Sequence, residues 1–255
     1  MDALAKLPLS NADRAVTLQN MEHTATITME PIALVHSCFT EKFGIPRQAG
    51  LVPAATASLE MLPPYHRPEA VQGLAAFSHI WVFFIFHQAV ARGWKNMVRP
   101  PRLGGNKRVG VFASRSPQRP NFLGSSVVRL EEIVAGSSGV TIHVSGVDLL
   151  DQTPVIDIKP YVPYSDSPAD AGNGFAPPPP SRLDIIFAPE VVDFCRHYEK
   201  RLGRPLQQLI SQVLKNDPRP AYHEDEREYG LTLWDVNIRF AVHGKTIMVR
   251  SVQPL

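Results

Sequence analysis

The chain is poor in cysteine. Cys38 and Cys195 are the only two among 255 residues, and they lie far apart. That excludes a disulfide scaffold and a cysteine-only zinc site, and it fits a reducing, cytoplasmic setting. Long apolar runs are missing too. The longest, at 80–86, is seven residues, against roughly 20 needed to span a bilayer. Residues 1–21 mix Asp2, Lys6, Asp13 and Arg14 among small side chains, with no secretory signal core. Neither secretion nor membrane insertion is expected. No Gly-x-Gly-x-x-Gly and no Walker loop occur, so the ordinary nucleotide signatures fail. Nine histidines are present, but none stand in a cluster at metal-ligand spacing, and no metal is expected. His79 and His87 share strand parity, yet they would lie about 26 Å apart. Cys38 has His36 nearby, but closeness in sequence does not make a nucleophilic dyad.

Acid is absent from one long stretch. Residues 70–130 contain no Asp or Glu, but they hold Arg92, Lys95, Arg99, Arg102, Lys107, Arg108, Arg115, Arg119 and Arg129. The overall net charge of +2 hides this asymmetry. Such a stretch creates a positive field that attracts polyanions. The basic residues sit among turn residues, as in Arg-Pro-Pro-Arg and Gly-Gly-Asn-Lys-Arg, and loops carry function more often than regular elements. A solvated basic face is the plainer alternative.

Hydrophobic residues make up 44% and charged residues 20%, so the chain has enough apolar material for a folded core. Proline is abundant, with 24 residues, which predicts many turns and few long helices. Strands are predicted at 27–35, 57–62, 79–88, 108–114, 125–133, 140–147 and 154–161, with one helical turn at 68–74. Short strands between Gly/Pro turns predict a mainly β fold, a barrel or sandwich. Residues 1–23 read as a leader, 24–164 as the β domain, and 165–180 as a Pro-rich linker. A small α+β domain is expected over 181–255. Its first helix starts at Pro189, carries Val191, Val192, Cys195, Tyr198 and Leu202 on one stripe, and stops at Gly203. A second helix carries Leu206, Leu209, Ile210, Val213 and Leu214. Strands at 232–242 and 246–252 then flank a hairpin turn at His243, Gly244 and Lys245.

Asp148, Leu149, Leu150 and Asp151 lie where an alternating strand runs into a turn. One carboxylate there can cap the turn, or bind an amine or hydroxyl of a ligand. Arg47 and Arg115, each in a turn, can make bidentate bonds to a carboxylate. A zwitterionic ligand suits such a set.

Motifs along nearly the whole chain resemble the TsaA-like family, the tRNA adenine N6-methyltransferases called TrmO. They are Phe-Gly-Ile-Pro-Arg-Gln (43–48), Gly-Leu-Ala-Ala-Phe-Ser-His-Ile-Trp (73–81), Phe-His-Gln (86–88) and Val-Arg-Pro-Pro-Arg-Leu-Gly-Gly-Asn (98–106). Gly-Val-Phe-Ala-Ser-Arg-Ser (110–116), Arg-Pro-Asn (119–121), Asp-Leu-Leu-Asp (148–151), Thr-Pro-Val-Ile-Asp-Ile-Lys-Pro-Tyr (153–161) and Asp-Pro-Arg-Pro-Ala-Tyr (217–222) follow in the family's order.

The resemblance implies a single-sheet antiparallel barrel that binds S-adenosylmethionine. It implies methylation of N6 of threonylcarbamoyladenosine at position 37 of threonine tRNA. It implies cofactor contacts at Pro46, Arg47, Gln48, Phe86, His87, Arg115, Ser125, Asp148, Leu149, Leu150 and Asp151. It also implies a homodimer in which the partner completes the site, with the aromatic strand at 81–86 or the loops beside it as the expected interface. The tRNA would meet Arg92, Lys95, Arg99, Arg102, Lys107, Arg108, Arg119 and Asn121. Asp151 or His87 would accept the N6 proton, or water would. Two alternatives stand beside this reading. One is a non-catalytic RNA-binding barrel resembling an OB-fold; the other is a methyltransferase acting on a small metabolite.

Overall fold

The structure is a computed structural model that describes residues 16–18, 27–100, 107–137, 139–172, 174, 183–219 and 227–255. Most of the expected leader therefore lies outside the described residues. The exception is β1 (Val16–Leu18), which pairs antiparallel with β2 (Ile27–Met29).

Six strands close into an antiparallel barrel. They are β3 (Ala33–Ser37), β4 (Thr56–Met61), β5 (His79–Ile85), β8 (Leu123–Gly136), β9 (Gly139–Ser145) and β10 (Pro154–Pro160), ordered β10-β3-β4-β9-β8-β5 around the wall. The interior follows from strict alternation: Val35 on β3, Leu59 on β4, Ile80 and Val82 on β5, and Ile142 and Val144 on β9 are almost fully buried. These branched side chains fill the interior of a small barrel. Closure between β10 and β3 is brief, with two paired positions. Ile32 N–H donating to Val155 O (2.7 Å) and Val35 N–H to Thr153 O (3.0 Å) complete it. The long β8 serves both neighbours because its register slips between Leu130 and Glu132. Such a bulge bends the strand and tightens the wall.

Between β5 and β8 a small module projects from the barrel. It contains a 3₁₀ segment (His87–Arg92), the ribbon of β6 (Met97–Val98) and β7 (Val109–Gly110), and a 3₁₀ turn (Val111–Ala113). Two expected strands are corrected here. The strand expected at 79–88 ends at Ile85, and that expected at 108–114 shrinks to two residues. The turn-rich sequence of this stretch supports no longer ladder. The strand expected at 27–35 is broken between β2 and β3 around Pro31, which has no N–H to give. The single turn expected at 68–74 is two 3₁₀ turns separated by Gly73 at φ +83°. A short helix, α1 (Pro163–Asp166), runs into the expected linker.

The C-terminal unit is a four-stranded sheet of β11 (Asp184–Phe187), β12 (Glu228–Leu233), β13 (Val236–His243) and β14 (Thr246–Pro254), ordered β11-β14-β13-β12. Helices α2 (Pro189–Leu202) and α3 (Leu206–Lys215) pack on it through the apolar stripes expected, except that Leu202 at the end of α2 is exposed. The strand expected at 232–242 is in fact the end of one strand and the start of the next. The chain reverses at Trp234, which holds φ +50°.

This unit grips the loop that follows β3. Trp234 N–H donates to Cys38 O (2.9 Å), and Thr232 N–H to Glu41 Oε1 (2.7 Å). Ala54 N–H donates to Gln212 Oε1 (2.8 Å). At Gly44, with φ +94°, an added Cβ would stand 2.2 Å from Leu231 Cδ1. Glycine is therefore required there for both conformation and space.

Candidate functional site

The gripped loop carries Pro46, Arg47 and Gln48. Pro46 is buried and Arg47 is exposed. An Arg47 Nη donates to Arg219 O (3.3 Å). Arg219 is itself held by Asp217 at 2.8 and 2.9 Å. Gln48 accepts a hydrogen bond from the Arg115 guanidinium through its Oε1. Two segments 67 residues apart meet in that contact.

Arg115 also lends positive charge to Asp148. Burial pushes the Asp148 carboxyl above its ordinary range. Ser126 Oγ and the backbone N–H groups of Asp148 and Ala49 pull it part of the way back, and the Arg115 charge helps. The Ser126 hydroxyl donates to Asp148 Oδ1 at 2.6 Å. A carboxylate held in this way, with a guanidinium close by, can take an ammonium or hydroxyl on one side while the cation takes a carboxylate.

Phe86 and His87 join from the end of β5. Gly124 lets the aromatics approach, because a Cβ there would stand 2.4 Å from Phe84 and 3.0 Å from Phe86. Gly124 and Ser126 share the inward face of β8, about 7 Å apart along the strand. Phe86 and Asp148 thus border the same part of the barrel. The His87 imidazole is held toward its neutral form, first by burial and second by the Lys42 cation.

Other expected residues fall elsewhere. Ser125 is exposed on the outward face, where it lines a cleft of 430 Å³ with Trp81 and Phe83. Its neighbour Ser126 makes the contact to Asp148. Leu149 is core, and Leu150 bridges to Phe39. Asp151 ties its turn to the end of β3: its Oδ1 accepts Ser37 N–H (2.9 Å), and its Oδ2 accepts Gln152 Nε2 (3.4 Å). Sequence reasoning missed Ser126 and Lys42.

Of the expected RNA contacts, Arg92, Lys95, Arg99, Lys107, Arg108 and Asn121 are exposed. Arg119 is half-buried, and one Nη donates to Ser114 O (2.6 Å) and to Val111 O (3.4 Å). It shapes its own loop. Arg102 lies outside the described residues. Among the described residues, no three His, Cys, Asp or Glu side chains come together as metal ligands. Among the described residues, no helix is long and apolar enough to cross a membrane.

Barrel, basic module and a joined cation–carboxylate site together describe a β-barrel protein suited to a ligand bearing both charges. Two family models match this architecture, the tRNA-methyltransferase O N-terminal domain over residues 34–167 and the TrmO C-terminal domain over residues 180–255. The chain belongs to the TrmO family. It is 42% identical over 234 residues to the tRNA (adenine(37)-N6)-methyltransferase of Escherichia coli, covering 90% of this chain and 99% of that one. A putative S-adenosylmethionine-dependent methyltransferase, RcsF, of Pseudomonas aeruginosa is 49% identical over 217 residues, or 84% of this chain and 92% of the relative. The crystal structure of TrmO from Pseudomonas aeruginosa superimposes with a TM-score of 0.75 at 42% identity, covering 91% of this chain and 99% of that one.

Proposed function

We propose that the protein is an S-adenosylmethionine-dependent methyltransferase acting on N6 of adenine 37 in tRNA. The finer substrate is threonylcarbamoyladenosine in threonine tRNA. The observation that carries this reading is the meeting of Arg115, Gln48 and Asp148, drawn from three separate segments. The donor set fits the methyl donor: Arg115 suits its carboxylate, Asp148 its ammonium or a hydroxyl, and Phe86 an aromatic face. When bound, S-adenosylmethionine supplies an already activated methyl group.

The protein's own task is then mainly alignment. Holding N6 in line can lower a barrier by roughly 7–11 kcal/mol. Ser126 keeps the Asp148 carboxylate in one orientation. Gln48 keeps the Arg115 fork in place. The acceptor nitrogen must lose a proton. His87, held neutral by its surroundings, can take it. Asp151 has both oxygens engaged, by Ser37 N–H and Gln152 Nε2, so it is the weaker acceptor. A purely RNA-binding barrel would have no use for a half-buried carboxylate whose charged form is disfavoured.

The reading includes a homodimer whose second copy completes the site. Trp81 and Phe83 are half-buried on the outward face of β5, where a partner surface can reach them. Light scattering that finds a fully active monomer excludes that part.

The decisive experiment pairs purified protein with tRNA from a deletion strain and S-adenosylmethionine. The expected product is tRNA one methyl heavier at the modified adenosine. Methyl transfer to a small metabolite alone, or cofactor-free RNA binding, overturns the reading.

A further inference from the structure

Two large aromatic side chains stand in solvent inside the basic module. Trp94 is 53% exposed and Phe112 is 76% exposed. Scattered apolar exposure is ordinary, but two aromatics on one small unit call for a partner. The unit is tied together by its backbone. Val111 N–H donates to Asn96 O (2.9 Å) and Lys95 N–H to Gln118 O (3.1 Å), both at the open end of the β6–β7 ribbon. These bonds hold the segments bearing Trp94 and Phe112 side by side.

The perch of Phe112 is firm. Its 3₁₀ turn is pinned by Ser114 Oγ donating to Val111 O (2.8 Å). The Arg119 guanidinium, fixed on two loop carbonyls, lies 5.9 Å from the ring centre. Three residues further on, Arg115 reaches Gln48 in the site. Lys95, Arg99, Lys107 and Arg108 are exposed on the same module, and none of the four pairs with a carboxylate among the described residues. No acid occurs between residues 70 and 130 to neutralise them.

We propose that Trp94 and Phe112 are stacking platforms for unpaired bases of the RNA substrate. This rests on the tRNA reading and deepens it. The module would grip a single-stranded loop through ring faces as well as through phosphate charge. Every base has a π-face, but a duplex keeps its faces stacked inside, so only unpaired nucleotides can use exposed rings. An apolar protein partner would cover the rings but would leave four unpaired cations buried beside them. A polyanion with aromatic faces satisfies both features.

The test measures binding of a tRNA transcript, its anticodon stem-loop, and a blunt duplex of the same stem. Trp94→Ala and Phe112→Ala are each expected to weaken tRNA and stem-loop binding roughly 5- to 150-fold. Duplex binding and S-adenosylmethionine affinity should stay at wild-type levels. The slope of log affinity against log salt should not change, because no phosphate contact is lost. Phe112→Trp should restore binding, and thermal melts confirm the fold. Lys107→Ala serves as contrast, since it should lower the salt slope by about 1. Unchanged stem-loop affinity in both alanine variants overturns the proposal. So does a halved molecular mass with unchanged RNA affinity, which would make this face a contact between copies. A wild-type protein that neither binds nor methylates tRNA defeats the functional reading itself. Wild-type behaviour retained by the variants defeats only this inference.

Discussion

Replacing Asp148 by asparagine should move stability and cofactor binding in opposite directions. Burial raises the carboxyl above its ordinary range despite the Ser126 and backbone hydrogen bonds. The folded state therefore holds its proton to higher pH than the unfolded chain does. By linkage, its contribution to stability is full at low pH and is lost as pH rises through the folded value. At pH 8 the wild type bears a charge its surroundings disfavour, and Asp148→Asn removes it. Asparagine keeps an oxygen that can accept from Ser126 Oγ. The variant should be as stable as wild type or more so at pH 8, by on the order of 1 kcal/mol, the scale of one desolvated polar group. Toward pH 4 the advantage should shrink, because the raised carboxyl takes up its proton as pH falls. Binding should respond the other way. Loss of a charge-assisted bond is worth about 1.5–3 kcal/mol, or roughly 10- to 150-fold in Kd. Thermal melts across pH and calorimetric titration with S-adenosylmethionine read both. A variant that is less stable at pH 8 than at pH 4 relative to wild type, or one with unaltered cofactor affinity, refutes the reasoning.

Arg115→Ala should weaken cofactor binding by about 1–2 kcal/mol. That is modest for a charged partner because the guanidinium is exposed to water. The same variant should raise the Asp148 carboxyl further, so the acid limb of the binding-versus-pH curve moves to higher pH; an unmoved limb separates the two groups. The Cys38 thiol is pushed up to about 12 and that of Cys195 to about 11, in both cases by burial. Iodoacetamide at pH 8 should therefore label neither in the native protein and both in urea, and rapid native labelling contradicts the buried placement.

Much of the barrel was legible because its strands are short, branched and bounded by turns. The helices were legible because Pro189 opens α2, Gly203 closes it, and the apolar stripes keep one face. The hairpin between β12 and β13 was not. A tight turn is normally signalled by glycine or asparagine, and here Trp234 occupies the left-handed position. Tertiary contacts hold it there: its N–H meets Cys38 O, and the Arg204 guanidinium lies 5.3 Å from its ring. Strand β11 was also missed, since its neighbour in the sheet, β14, lies some 60 residues later in sequence. In the candidate site, the chemistry of Arg115 and Asp148 singled them out in the sequence, and the resemblance pointed to Ser125, whereas it is Ser126 that meets Asp148. Two serines followed by two valines suit either face of a strand, and a one-residue slip exchanges inside for outside. Only the closed barrel decides that Ser126 faces in.

The loop bearing Pro46, Arg47 and Gln48 is held by the barrel, through Gly50 N–H on Gly146 O (2.7 Å), and also by the C-terminal unit, through Thr232, Trp234, Gln212 and the space kept clear at Gly44. A change in α3 or in the β12–β13 turn would then be felt as altered affinity for a small molecule bound at the barrel. The two units cannot drift independently. A sequence change on the sheet that shifts Thr232 or Trp234 would shift the loop with it. Swapping C-terminal units between distant relatives would transplant a fold intact and leave it a poor brace.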